Sequence, residues 1–195
     1  MTTIAVALKN AYLAAVNPVF ASLHDGFPGA TGLNEISGGG YARQAITFAV
    51  ASGGVRLLSA PVTFTLAAAT IRWVVFRDAS GVPLFAAPNG GFTPRNFMST
   101  SGTDLVYAAG HGWSDGTTIV FFNGTPPAPL VEGTTYYVRD ATTDSFKVAA
   151  TVGGAPINLT GDPSFGCVVA RIDEREYVGP TNSHTLSSAT VTIPD

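Results

Sequence analysis

Residues 23–48 read LHDGFPGATGLNEISGGGYARQAITF, a glycine-rich loop running into a strand-like segment. A loop of this kind either cradles a phosphate or folds the chain back on itself. A dinucleotide fingerprint requires G-x-G-x-x-G directly after a strand and at the start of a helix. Gly26, Gly29 and Gly32 are spaced by three, and Gly38, Gly39 and Gly40 lead into YARQAITF, where Ala42, Gln44, Ile46 and Phe48 alternate as in a half-buried strand. No helix follows to aim amides at an anion, and the Gly-Lys-Ser/Thr ending of a P-loop is missing. The segment therefore reads as structural. Asp25-Gly26 and Pro28-Gly29 supply turn chemistry, and Asn34 or Glu35 is expected to bond loop amides.

Working outward, the rest of the chain is turn-rich and β-like. Its 22 glycines and 13 prolines in 195 residues do not suit a helical bundle. VFASLHDG, VRLLSAPVTFTLA, TIRWVVFRDASG, VPLFAAP and the alternating HTLSSATVTIPD are strand candidates, with ASGGVR a hairpin turn. The N-terminal TTIAVALKNAYLAAVNPVF is apolar, but Lys9 and Asn10 interrupt it and no positive leading region precedes it. It reads as neither a signal peptide nor a spanning helix. Ile4, Leu8, Tyr12 and Val16 recur every fourth residue, predicting a short packing helix capped by Thr2 or Thr3 and ended at Asn17-Pro18.

Residues 98–162 differ in character. TDLVYAA, TTIVFF, TTYYVRD, SFKVAA and PINLT offer five short strands at regular spacing, a compact β module. This module carries a net charge of -4, against +1 for the remainder. The expected architecture is mainly β: an antiparallel sandwich or barrel scaffold, residues 1–97 and 163–195, with a short N-terminal helix and an inserted acidic module at 98–162.

Charge and cysteine content exclude several functions. Net charge is -3 with no Lys/Arg cluster, so nucleic-acid binding has no electrostatic footprint. Cys167 is the only cysteine, which precludes an intrachain disulfide, and no Cys/His metal spacing occurs. His24, His111 and His184 all fall near turns and lack a G-x-S-x-G or HExxH context. Asp140 and Asp144 are too close for a calcium loop and read, with Asp173, Glu174 and Glu176, as solvated acid. No catalytic, cofactor or metal residue is assigned. Only 12% of residues are charged, which points to surface covered by partner subunits or, alternatively, solvated by the many Thr, Ser and Asn side chains. Trp73, Phe76 and Phe85 read as core or as a subunit seam, with Tyr12 on the helix. Trp113, Tyr136 and Tyr137 are candidate contacts for a glycan.

The stretch SLHDGFPGATGLNEISGGGYARQAITF resembles the N-terminal signature of small tailed-phage virion proteins, a family of minor tail, tail-fibre-like and head-decoration proteins. The matching positions run from Ser22-Leu23-His24 through Asn34-Glu35 to Tyr41-Ala42-Arg43-Gln44 and Thr47-Phe48, with a departure at Asp25-Gly26-Phe27. HTLSSATVTIPD is similar to the family's closing strand. HGWSDGTTIVFFNGTPPAPLVEGTTYYVRDATTDSFKVAATVGGAPINLT resembles β modules within phage tail and fibre proteins. The resemblance implies a non-enzymatic structural subunit, made in the bacterial host cytoplasm and carried in the virion, as a minor tail or tail-tip protein. A capsid decoration protein, a host glycan-binding module and, last, a small hydrolase are the alternatives. It implies tail proteins or the major capsid protein as partners, and a closed homo-oligomer such as a trimer. It supplies no catalytic residue and no cofactor.

Overall fold

The computed structural model describes residues 4–192. The protein is mainly β, with antiparallel sheets and one short helix near its N-terminus. The chain divides into two compact units, Met1–Gly91 with Glu174–Asp195, and Phe92–Asp173.

Unit 1 begins with α1 (Val6–Ala15) and contains β1 (Phe20–His24), β2 (Gln44–Ala45), β3 (Val55–Leu57), β4 (Val62–Leu66), β5 (Ala69–Ile71), β6 (Trp73–Arg77) and β7 (Pro83–Pro88). Four of these form a sheet in the order β2-β1-β6-β7. The C-terminal segment returns as β15 (Arg175–Tyr177), β16 (Asn182–Leu186) and β17 (Thr190–Thr192). These pair antiparallel with β5, β4 and β3 in turn, so the chain's last leg retraces its earlier course strand by strand. Alternation on β4 turns Phe64 and Leu66 inward, where they join Ala21, Leu23, Val74 and Phe76 from the four-stranded sheet in one core. Ile193 and the capping threonines Thr2 and Thr3 lie outside the described residues.

The helix ends where Asn17-Pro18 forbids its continuation, with Val16 already extended. Its orientation departs from the four-residue stripe. Lys9 and Leu13 are buried, while Leu8 and Tyr12 are 64% and 61% exposed. Asn10 Oδ1 accepts the Gly54 amide, and Arg56 donates to the Leu13 and Val16 carbonyls, satisfying the helix's C-terminal end. These tethers, together with buried Leu13, hold that side of the helix against the unit.

Unit 2 contains β8 (Arg95–Asn96), β9 (Met98–Thr100), β10 (Leu105–Tyr107), β11 (Thr118–Phe122), β12 (Thr135–Arg139), β13 (Ser145–Ala149) and β14 (Val168–Arg171). The sheet order is β8-β14-β11-β12-β13-β10-β9. Its two outer members, β8 and β9, are consecutive in the chain and separated only by Phe97. The segment Arg95–Thr100 thus acts as one bent strand that pairs with β14 on one side and β10 on the other, closing the sheet into a barrel. Closure removes the free edges that an open sheet would expose. Val106, Ile119, Phe121, Val138, Phe146, Val148 and Val169 fill the interior. PINLT, expected as a strand, makes only a bridge from Pro156 to Ala149, and anchors its loop through buried Leu159.

Candidate functional site: the polar layer beneath the glycine-rich loop

β1 and β6 are buried on both faces, which explains why WVVFR reads as one apolar run. Ala21, Leu23, Val74 and Phe76 point into the main core. The opposite face carries Ser22 and His24 on β1 with Trp73, Val75 and Arg77 on β6, in registers Ser22↔Val75 and His24↔Trp73. The glycine-rich loop roofs this second face. Phe27 packs edge-on against Trp73, with ring centroids 5.1 Å apart.

The polar groups under the roof form one connected network. His24 Nδ1 lies 2.6 Å from the Leu33 carbonyl, so that nitrogen carries the proton and Nε2 is the acceptor. Ser22 Oγ, 3.0 Å from Nε2, donates to it and accepts from Arg77 Nε at 2.8 Å. Arg77 also donates to the Gly81 and Gly32 carbonyls and to Glu35 Oε2, the last at 3.1 Å. Glu35 in turn receives both Nε and Nη2 of Arg43, and the Tyr41 hydroxyl donates to its Oε1 while accepting the Leu23 amide. The sequence expectation for Glu35 and Asn34 is corrected here. Glu35 serves two arginines rather than loop amides, and Asn34 donates its side-chain amide to the Phe27 carbonyl.

Electrostatics follow from this placement. Burial depresses the His24 pKa, so the ring is neutral, and only partly offsetting pulls come from the Leu33 carbonyl and Glu35. Burial pushes the Glu35 carboxyl upward, but the hydrogen bonds and charge of Arg43, with the charge of Arg77, outweigh it and hold it below its ordinary value. Burial also raises the Tyr41 hydroxyl.

The polarity of the roof answers the phosphate question. An anion cradle presents amide N–H groups. Here the Gly32 and Leu33 carbonyls face inward and receive a guanidinium and an imidazole N–H. The loop is built around a cation already supplied by the chain. Glycine is required where backbones meet: a Cβ on Gly39 would lie 2.3 Å from the Ala67 nitrogen, with φ at +61°. The Ser22–His24 pair has the spacing of a nucleophile and base, yet both residues are 0% exposed and Ser22 is held by Arg77. The pair is structural.

The other two histidines are interior as well. His184 bonds the Tyr177 hydroxyl through Nδ1 at 2.9 Å, and burial lowers its pKa. His111 accepts the Trp113 amide at Nδ1 and packs edge-on against Phe146. The acidic residues of unit 2 tie loops: Asp144 and Asp115 accept the Gly110 and Ala141 amides. No group of three or more metal-type ligands occurs among the described residues, and no described helix is long and apolar enough to cross a membrane.

The sequence-derived surface residues separate clearly. Trp73 and Phe76 are 1% and 2% exposed, so both are core of unit 1 and present no seam to another subunit. Phe85 is half-buried and stacks on Phe76 at 4.7 Å, and Tyr12 is exposed. Tyr136 is buried, its hydroxyl accepting the Val131 amide, which takes it out of reach of a ligand. Trp113 and Tyr137 are half-buried. Sequence reasoning missed Ser22 and Arg77, although an arginine ending an otherwise apolar strand was a signal of a buried cation needing partners. It also missed a shallow groove of about 460 Å³ on unit 2, lined by Asn96, Phe97, Met98, Tyr107, Ala109 and Asp144.

Unit 1 is thus braced by an internal ion network, and unit 2 is closed as a barrel. Residues 2–91, a little under half of the chain, match the family model described as Podophage GP4 fiber I protein gp80, so this part of the chain resembles a phage tail-fibre structural family. No curated protein and no solved structure gives a significant match.

Proposed function

We propose that the protein is a non-enzymatic structural subunit of a tailed-phage virion, associated with the tail as a minor tail or tail-tip component. The match of residues 2–91 to a phage fibre family carries this reading, because the matched segment includes the glycine-rich roof and the whole network beneath it. Its role is to hold shape. The polar side chains of the layer have one another as partners, and Ser22 and His24 are 0% exposed. The fibre match also favours the tail over a decoration role on the capsid. Its partners are then other virion proteins, with further copies of itself. Mass spectrometry on separated tails and heads of the parent phage tests this reading. Recovery with tails supports it, and recovery with heads alone refutes it.

A second reading, host-glycan attachment by unit 2, is favoured by the groove. Tyr107, 42% exposed, offers a ring face, and Asn96 and Asp144 offer polar groups beside it. Binding of the purified protein to host surface polysaccharide, lost in Tyr107→Ala, is the expected result. Equal binding by the variant removes this site.

A further inference from the structure

The roof over the second face of β1 and β6 is a loop with a narrow neck. His24 and Glu35 bridge antiparallel, and the Asp25 amide donates to the Asn34 carbonyl, so the roof leaves β1 at His24 and returns to it at Glu35. It is tied to the sheet by the Leu33 carbonyl on His24 Nδ1, by the Gly32 carbonyl and Glu35 on Arg77, and by the Asp25 carbonyl on Arg72. Phe27 adds its edge-on contact with Trp73. Beneath it Trp73 and Val75 are 1% exposed and His24 is 0% exposed.

The charges around the His24 ring leave no place for another cation. β6 brings Arg77 and, just before it in the chain, Arg72, which pairs with Glu174 at 2.9 Å. The roof brings Glu35, and the segment after it brings the Tyr41 hydroxyl and Arg43. Asp25, next along the chain, is exposed, and β7 (PLFAAP) has no ionisable side chain. Glu35 already serves the guanidinium groups of both Arg43 and Arg77. A proton on His24 therefore adds a cation to two arginines that share one carboxylate. The hydrogen bonds conflict as well, because a protonated ring donates from both nitrogens. Nδ1 keeps the Leu33 carbonyl, but Nε2–H then points at Ser22 Oγ, 3.0 Å away, which already takes Arg77 Nε–H at 2.8 Å. Imidazolium and guanidinium meet on one hydroxyl oxygen, out of water, where like charges repel most strongly.

We infer that His24 is an acid-released latch: with a neutral ring the roof is closed over Trp73, and protonation of the ring opens the roof, residues 25–34, while β1 and β6 stay paired. The roof itself covers the ring on that side, so opening is what gives an imidazolium access to water. The pairing of β1 with β6, from Phe20↔Arg77 to His24↔Trp73, is carried by the backbone and does not need the ring. Opening uncovers Trp73 and Val75 beside the Arg77 guanidinium, an apolar face with a cation at its edge that the closed form hides. Closure is fully favoured above about pH 6.5, the ordinary imidazole value, and loses about tenfold per pH unit below it until the native ring takes up the proton. Burial extends that window downward by lowering the native ring's pKa. This is a local opening rather than the loss of unit 1 as a whole, and it does not depend on the fibre reading.

Hydrogen exchange on the purified full chain, with rates corrected for the intrinsic pH dependence of amides, provides the test. The Asp25 and Leu33 amides, bonded to the Asn34 and Pro28 carbonyls, report on the roof. Their protection is expected to hold from pH 8 to about 6.5 and to fall about tenfold per pH unit from there to about pH 5, with the β6 amides more protected throughout. His24→Gln offers a donor and an acceptor but does not titrate, and is expected to keep roof protection flat. His184→Gln is expected to keep the wild-type fall. Flat roof protection in the wild type overturns the inference, as does a fall that persists in His24→Gln or disappears in His184→Gln. Equal protection of roof and β6 amides at every pH also overturns it, because the roof would then open only when unit 1 unfolds. That last comparison uses the wild type alone, so it stands even if His24→Gln does not fold.

Discussion

Replacing Arg77 by methionine removes the hub of the polar layer while keeping most of its volume. The guanidinium side chain is 3% exposed and its partner Glu35 is 20% exposed. Its loss leaves Ser22 Oγ, the Gly81 carbonyl and one side of Glu35 without their donor. Breaking a buried ion pair from one side costs about 3–5 kcal/mol, most of it for the groups left unpaired. For a unit of this size each kcal/mol lowers the melting midpoint by about 4 °C, so the shift is about 12–20 °C. Arg43→Met is the internal comparison. Arg43 also bonds Glu35, but its side chain is 41% exposed, and such pairs contribute about 0–1 kcal/mol. Differential scanning calorimetry resolves the difference, with the transition of unit 2 as a reference that neither substitution touches. If Arg77→Met melts within 2 °C of wild type, or if the two variants fall equally, the network does not hold the roof in place as argued.

Acid sensitivity provides an independent check on the same layer. The native pKa values of His24 and His184 are lowered, so below about pH 6.5 the unfolded chain binds protons that the native state refuses. The midpoint of unit 1 should hold from pH 8 to about 6.5 and fall as pH drops further. Glu35 adds to the loss at lower pH, because its depressed native pKa gives stability that is present above its unfolded value and lost as pH falls through the native one. A flat midpoint from pH 7 to 5 in calorimetry would contradict these placements. Gly38→Ala and Gly39→Ala separate backbone conformation from contact. Gly38, at φ +83° with open space around it, should cost about 1 kcal/mol. Gly39 adds the clash with Ala67, a further 1–3 kcal/mol by about the usual cost of overpacking, and denaturant titration should rank it clearly lower. Cys167 is buried and its thiol is pushed up to about 11, so a thiol reagent at pH 8 should label it only on unfolding. Rapid labelling of the native protein would show that the barrel opens.

The sequence was informative where structure depends on neighbours along the chain. Gly53-Gly54 makes the expected hairpin turn, with Ser52 bridging Val55, and Asp78 closes the β6–β7 turn by accepting the Ser80 and Val82 amides. Asn17-Pro18 ends the helix as steric exclusion requires. Pairings between distant segments left little trace. The bent strand Arg95–Thr100 closes the barrel because β14, about seventy residues later, returns to it. Nothing in RNFMST announces that partner. The orientation of α1 was missed for a related reason. Periodicity finds an apolar stripe but does not say whether the stripe meets its own unit, and here Asn10 and Arg56, together with buried Leu13, hold another side inward. The polar layer was half legible: the loop's structural role followed from its missing helix and lysine, whereas the Ser22–Arg77–Glu35 connection spans 55 and 42 residues.

Antibody-gold electron microscopy on purified parent phage tests the central claim most directly. The account predicts gold on the tail or its fibres, with none on particles lacking the protein. Gold spread over the head, or no labelling of intact particles at all, would contradict it.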